Sequence, residues 1–199
     1  MKILLIILII IIGIFIVFQL YTTMSSKKTE TQAYNVIKVE KEFQIRYYPP
    51  VTMAMITSSS KTFRELGRSG FATLAGYIFG GNKAKKQIAM TSPVHMDIGD
   101  SVSSMSFVMP AIYKKDNLPL PDNPDINIKT SQEEYVAAIT FGGFASSENI
   151  QKHREMLENS LKQHHLKYFG GFRFLGYNPP YQLFGRRNEI IVAVDWNSK

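Results

Sequence analysis

The chain has 199 residues with 45% hydrophobic and 12% aromatic side chains, enough for one domain with a real core plus an appendage. It has no cysteine, which excludes a disulfide framework, a thiolate metal site and a cysteine nucleophile. A net charge of +7, from 23 basic and 16 acidic residues, favours an acidic partner such as anionic lipid or a carboxylated small molecule. Nucleic acid is set aside: the densest basic group is only Lys83, Lys85 and Lys86, and no DNA- or RNA-binding signature accompanies it.

The chain opens on Ile3–Leu20, 18 residues whose single polar side chain is Gln19. As a helix this run spans about 27 Å, close to the hydrocarbon thickness of a bilayer. It is longer than the apolar region of a cleaved leader, and Tyr21-Thr22-Thr23-Met24 makes a poor cleavage site. Residues 1–21 are therefore read as a retained membrane anchor, with the following domain exported and extracytoplasmic. The charges flanking the span, Lys2 before it and Lys27 and Lys28 after it, give almost no margin on orientation. The Ser/Thr/Lys-rich segment 22–33 reads as a flexible tether, and the folded domain is expected over 34–197.

Strand patterns follow at Tyr34–Val39, Phe43–Tyr48 and Val51–Thr57, with Pro49-Pro50 breaking the second from the third. The stretch Ser60–Gly81 then carries Phe63, Leu66, Gly67, Gly70, Phe71, Leu74, Ala75 and Ile78 at helical spacing. Ser58–Ser60 offer N-caps and Gly80-Gly81 a left-handed stop. Small residues on this face let a backbone, or a flat ligand, approach closely, and close packing on a sheet is the commoner use of such a face. Gln87–Ile98 and Met105–Met109 read as further strands, and the Pro-rich Asn117–Asp125 as a loop between halves.

The second half echoes the first. Gln44–Thr57 aligns without a gap on Asn127–Thr140, with four of 14 positions identical. Each segment leads into a helix of about 20 residues, taken to end in Phe-Gly-Gly at Phe79–Gly81 and Phe169–Gly171, and then into two strands, the second time Phe172–Asn178 and Glu189–Asp195. Two strand–helix–strand–strand units, about 34–112 and 126–196, are expected to join in one sheet or open barrel with two helices packed on it. A groove between helices and sheet is where such a fold offers a ligand site.

Few residues point to reaction chemistry. Of the histidines, His153, His164 and His165 fall in a helical stretch without metal-site spacing, and His95 lies on an expected strand, where a hydrogen-bonded strand histidine is a more frequent outcome than a ligand to a haem iron. No serine sits in a nucleophile-elbow context, and no carboxylate pair or phosphate loop is present. Met53, Met55, Met90, Met96, Met105 and Met109 suit either a pocket for a large apolar ligand or ordinary core filling. The segment Gly176–Tyr181, GYNPPY, is a stiff loop with an aromatic near its tip, and Arg186-Arg187 after it suit either carboxylate recognition or pairing with Glu189.

The stretches Tyr34–Tyr48, QIAMTSPV at Gln87–Val94, SFVMP at Ser106–Pro110, FGGFA at Phe141–Ala145 and the NPPY and RRNEI of Gly176–Val192 strongly resemble the SOUL haem-binding protein family. The resemblance implies an α+β fold, a duplicated βαββ-type unit forming a distorted, largely antiparallel barrel flanked by two helices. That fold is similar to the effector-binding domains of some transcription regulators and to gyrase-inhibitory-like proteins. It also implies non-enzymatic, non-covalent binding of haem or another tetrapyrrole beside the first domain helix and the loop Asn178–Arg187. Where relatives place basic residues toward the propionates, this chain has Ser69, Tyr77 and Gln182, with Arg64, Arg68 and Arg186 near enough to substitute. No counterpart of the family's proposed axial histidine is evident, so strong axial ligation is not expected. On this resemblance Phe71, Leu74, Ala75 and Ile78 contact the ring, Arg64 or Arg68 and Arg186 pair with propionates, Tyr77 hydrogen-bonds or stacks, and Gln182 belongs to the loop. The chain then reads as a membrane-tethered holder or carrier of haem. The rival is an effector-type module for another amphipathic ligand, a drug-like cation or a lipid.

Overall fold

In order, the chain forms α1 (Lys2–Lys28), β1 (Asn35–Val39), β2 (Gln44–Tyr48), β3 (Thr52–Ser58), α2 (Phe63–Ile78), β4 (Val94–Asp97), β5 (Ser103–Val108), β6 (Asn127–Thr130), β7 (Glu134–Phe141), α3 (Ser147–Gln163), β8 (Tyr168–Gly176) and β9 (Asn188–Val194). These elements come from a computed structural model that describes residues 2–99 and 102–196. The strands form one antiparallel sheet of nine, ordered β1-β2-β7-β9-β8-β4-β5-β3-β6. The expected barrel is instead an open sheet, because the outer strands β1 and β6 do not pair with each other. Outward from the central β8–β4 pair the order is symmetric in connection. Each side has the two strands that follow a helix, then the strand that precedes it, then a strand from the other half, and β1 is a ninth strand added outside β2.

Strand alternation divides the side chains between two faces. Ile45, Ala54, Met105, Ala137, Ile190 and Val192 turn toward α2 and α3 and form the main core with Leu66, Leu74, Leu157 and Leu161. Leu66 and Leu74 are fully closed to solvent, and such burial is worth about 1.5–3 kcal/mol each. The other face carries a smaller cluster of Tyr48, Val136, Ala138, Leu175 and Ile191.

Helix α2 begins two residues later than the serine run implied. Ser58 is the last residue of β3 and its hydroxyl is engaged with Ser60, so Thr62 becomes the cap, its side chain accepting from the Glu65 N–H at 3.2 Å. Gly80, at φ +109°, ends the helix as expected. Helix α3 stops differently: it ends at Gln163, with His165 at φ 54° after it, and Phe169–Gly171 lies inside β8 at an irregular register. The stretch expected as one strand over Gln87–Ile98 is extended sheet only at Val94–Asp97. Its earlier residues satisfy their backbone elsewhere, Ile88 N–H on Ile78 O at 2.8 Å and Ser92 N–H on Glu30 O at 2.8 Å.

Among the described residues α1 is a helix long and apolar enough to cross a membrane. Its helical run continues to Lys28 through much of the segment expected to be flexible. The residues after it lie along the domain: Gln32 N–H donates to Ser92 O at 2.8 Å, and the Glu30 carboxylate accepts from Ala111 N–H at 2.7 Å.

Candidate functional site

On the helix face of the sheet a groove of about 580 Å³ opens between α2, the loop 177–188 and the last turns of α1. Its floor is set by strand parity. Val94 and Met96 of β4 face the helices while His95 and Asp97 point away, and Met96 stands opposite Met105 of β5. Phe174 of β8 completes the floor, and Gly67 and Phe71, one turn apart on α2, form a wall. Met90 and Phe79 extend the apolar lining, and Tyr21, Thr22, Ser25 and Ser26 close the side toward α1.

The two central glycines of α2 do different work. A Cβ at Gly70 would stand 2.9 Å from Ile56 Cδ1 and 3.2 Å from Met105 Sδ, so this glycine lets the helix settle on the sheet. A Cβ at Gly67 would meet only Met96 Cε, at an ordinary 3.7 Å, so this glycine leaves room in the groove.

The loop opposite is tied by its own side chains. Asn178 Oδ1 accepts from Arg187 N–H at 2.6 Å, and Asn178 Nδ2 donates to Gln182 Oε1 at 3.1 Å. Gln182 also donates to Phe184 O at 2.8 Å and accepts from the Ser26 hydroxyl at 2.7 Å. Arg186 donates through Nη1 to Pro179 O and Gln182 O, both at 2.7 Å, with its guanidinium 4.9 Å from the centre of the Phe144 ring. Its Nε is buried with no hydrogen-bond partner, and among the described residues no carboxylate pairs with it. Burial without a counter-ion lowers its pKa. Arg187 next to it is the opposite case. It binds Glu189 Oε1 through Nη2 at 2.8 Å and faces away from the groove.

The residues singled out from sequence therefore separate. Phe71 and Arg186 line the groove together. Gln182 is buried in the framework of the loop, and Arg64 and Arg68 are exposed on α2 outside the lining. Leu74, Ala75, Tyr77 and Ile78 belong to the core, Tyr77 donating its hydroxyl to Pro119 O at 2.9 Å with burial pushing its pKa up to about 12. Helical spacing put Leu74, Ala75 and Ile78 beside Phe71, and the resemblance added Tyr77, but all four pack into the core. Met90, Met96, Met105 and Phe174 line the groove; the methionine signal was in the sequence, and its assignment to groove or core needed the sheet register.

No histidine lines the groove among the described residues. His95 sits on the opposite face, bonded through Nε2 to Gln32 Oε1 at 2.7 Å, and burial lowers its pKa to about 3. His153 stacks on Phe141 with ring centres 4.1 Å apart, and His164 meets Phe43 edge-on. Among the described residues no group of His, Cys, Asp or Glu could hold a metal ion. A second hollow, about 840 Å³, lies on the His95 side of the sheet. Arg173 there is paired with both oxygens of Glu134 at 2.8 and 2.7 Å and Tyr47 donates to Glu133 at 2.6 Å, and Asp97, Asp195 and Lys129 also line it, so its lining is polar and carries more acids than bases. The apolar groove with one unpaired guanidinium is the better candidate for a large flat ligand bearing acidic groups.

A helix-flanked antiparallel sheet with an apolar groove on its helix face defines a small α+β domain. The chain belongs to the SOUL heme-binding protein family, whose model matches residues 29–193. It is 30% identical over 156 residues to mouse (Mus musculus) "Heme-binding protein 2", covering 74% of this chain and 76% of that protein. It is 27% identical to Xenopus laevis "Heme-binding protein 1", over 78% of this chain and 86% of the relative. Among solved structures it resembles the EcmrR C-terminal domain, with TM-score 0.61 at 8% identity over 82% of this chain and 99% of that one. It also resembles a hydrolase from Listeria innocua, with TM-score 0.57 at 7% identity over 80% and 94%. At such identities these two likenesses show the fold alone.

Proposed function

We propose that this protein is a non-enzymatic, membrane-tethered binding protein that holds haem or a related tetrapyrrole transiently in the α2 groove, for buffering or transfer. The observation that carries this reading is the pairing of an apolar lining with Arg186, a half-buried cation whose Nε has no hydrogen-bond partner and which no carboxylate among the described residues neutralises. Phe71, Met90, Met96, Met105 and Phe174 would meet the macrocycle and Arg186 a propionate. The iron would take no histidine from the groove, so apolar contact and propionate pairing would supply the affinity.

Residues 1–21 serve as a single-pass anchor, and the domain, about 34–197, lies outside the cytoplasm in this reading. Support for retention of the helix comes from Gln19 and Thr22, which are more than nine-tenths buried against the domain, a contact that a cleaved leader would forfeit. Duplication of a strand–helix–strand–strand unit fits the symmetric strand order. The gapless alignment of 44–57 on 127–140 lays β2 on β6 and β3 on β7.

The same groove could serve another amphipath, and its chemistry chooses the sign. Among the described residues no Asp or Glu lines it, whereas Arg186 does, so an anionic amphipath suits it better than a drug-like cation. Titration of the full chain in detergent with haem, followed at the Soret band, tests the proposal. Saturable one-to-one binding displaced by metal-free porphyrin is expected; nonsaturating uptake, or displacement by a hydrophobic cation alone, would overturn it.

A further inference from the structure

The loop 180–184 has a feature that ligand binding in the groove does not require. Its apolar side chains point outward, Tyr181 at 56%, Leu183 at 38% and Phe184 at 66% exposure. The loop is also fixed against the end of the apolar helix. Tyr181 and Phe18 have ring centres 5.9 Å apart, Gln19 donates to Tyr181 O at 3.1 Å, and Leu183 N–H donates to Gln19 Oε1 at 3.0 Å. Gly185 lies beside Thr23, and Gln182 bonds Ser26.

Depth follows from this ladder. Along a helix, Phe18 to Ser26 spans about 12 Å. The apolar run ends at Leu20, so Tyr181 and Leu183 stand level with its last turn, where Tyr21 is also exposed. That is the level at which a bilayer gives way to its headgroups, and aromatic side chains with a polar end collect there. Lys27 and Lys28 follow in the last turn of α1, beyond the loop contacts, where cations meet lipid phosphates.

We propose that the loop 180–184 is an interfacial membrane insert that seats the mouth of the groove on the lipid surface. The inference rests on the anchor reading of α1 and names the partner as the headgroup region of the bilayer that α1 crosses. Pro180 and Tyr181 belong both to the loop and to the groove lining, so an amphipathic ligand dissolved in the leaflet would meet the opening without first crossing water.

The test uses the full chain reconstituted in phosphatidylcholine vesicles, with Trp196→Phe removing the one native tryptophan and Phe184→Trp placing a reporter on the loop. Leu183→Trp supplies a second reporter should the first variant fail to fold. The expected result is blue-shifted emission, quenched by lipid brominated high on the acyl chain and shielded from aqueous iodide. Emission quenched by iodide and untouched by brominated lipid, with both reporters, would overturn the insert. A haem titration on the same vesicles separates the two readings. Lipid quenching without haem binding would sink the tetrapyrrole proposal alone; haem binding without lipid quenching would sink the insert alone.

Discussion

Arg46 and Glu189, 143 positions apart, meet at 2.8 Å between Nη1 and Oε2, with side-chain exposures of 2% and 0%. The carboxylate also accepts from Tyr177 at 2.8 Å, Thr140 at 3.0 Å and Arg187 at 2.8 Å, so two guanidiniums share one buried acid. Burial alone would raise the Glu189 pKa, but the hydrogen bond and charge of Arg46, joined by Arg187, hold it below the ordinary range. The cluster locks β2, β7 and β9 together on the face away from the groove.

Its charge count sets the order of damage. Glu189→Gln leaves two cations in low dielectric, whereas Arg46→Met leaves one acid still paired with Arg187. Breaking such a pair costs about 3–5 kcal/mol, and Glu189→Gln should sit at the upper end and Arg46→Met at the lower. Chemical denaturation of the two variants checks the order; equal losses would mean that the half-exposed Arg187 does not share the charge.

His95 predicts a pH dependence of stability. Its folded pKa of about 3 lies below the ordinary 6.5, through burial first and the Arg173 charge second. The unfolded state therefore gains a proton that the folded state refuses, and stability is lost as pH falls below about 6.5. From pH 7 to pH 5 this one group should cost about 2 kcal/mol. Asp97, whose carboxyl burial raises, works in the opposite sense toward lower pH, so the comparison must isolate the imidazole. The stability difference between wild type and His95→Gln should change by about that amount across the interval, measured by denaturant titration at each pH.

The groove can be closed from the helix side. Gly67→Leu sends a side chain past Met96 Cε into the opening, with no backbone in its way, and removes a helical glycine worth about 1 kcal/mol. Unfolding temperature should hold or rise while porphyrin binding falls at least about tenfold, a loss of about 1.4 kcal/mol. The same change at Gly70 should instead destabilise the fold, because Ile56 and Met105 already fill that space.

Arg186 is tested by ligand chemistry. Replacing it with Met should weaken haem binding about tenfold or more, as expected for a charge-assisted hydrogen bond worth about 1.5–3 kcal/mol. The dimethyl ester of the same porphyrin, which has no carboxylate to offer, should bind wild type and variant alike. An equal loss for both ligands would assign Arg186 to holding Pro179 and Gln182 in the loop rather than to meeting propionate.

Much of the fold was legible because it rests on local pattern. The apolar run of α1, the periodicity of α2, the glycine at its end and the strands before it all follow from spacing that short-range physics enforces. Pairing across the sheet was less visible. Residues 87–93 have strand-like composition, yet their hydrogen bonds go to the end of α2 and to Glu30, partners that no local rule identifies. The same limit applied to the site. Period 3.6 put Phe71 and Leu74 on neighbouring positions, but only the register of β4 on β5 decides that one looks into the groove and the other into the core. Gln19 was visible as the lone polar side chain of the span; its role, receiving and giving hydrogen bonds to a loop more than 160 residues away, was not.

The connection between α1 and the sheet carries one more consequence. A free coil over residues 22–33 would let the domain wander roughly 20 Å from the end of the span. Here the helix runs to Lys28, and Glu30 and Gln32 are already bonded to the domain, so almost no slack is left. The compass bearing of the groove is thereby slaved to the rotation of α1: each residue added to or removed from the helix would swing it by about 100°. In the transfer reading proposed above, a protein taking the ligand would have to come to this fixed heading, because the domain could not turn to greet it.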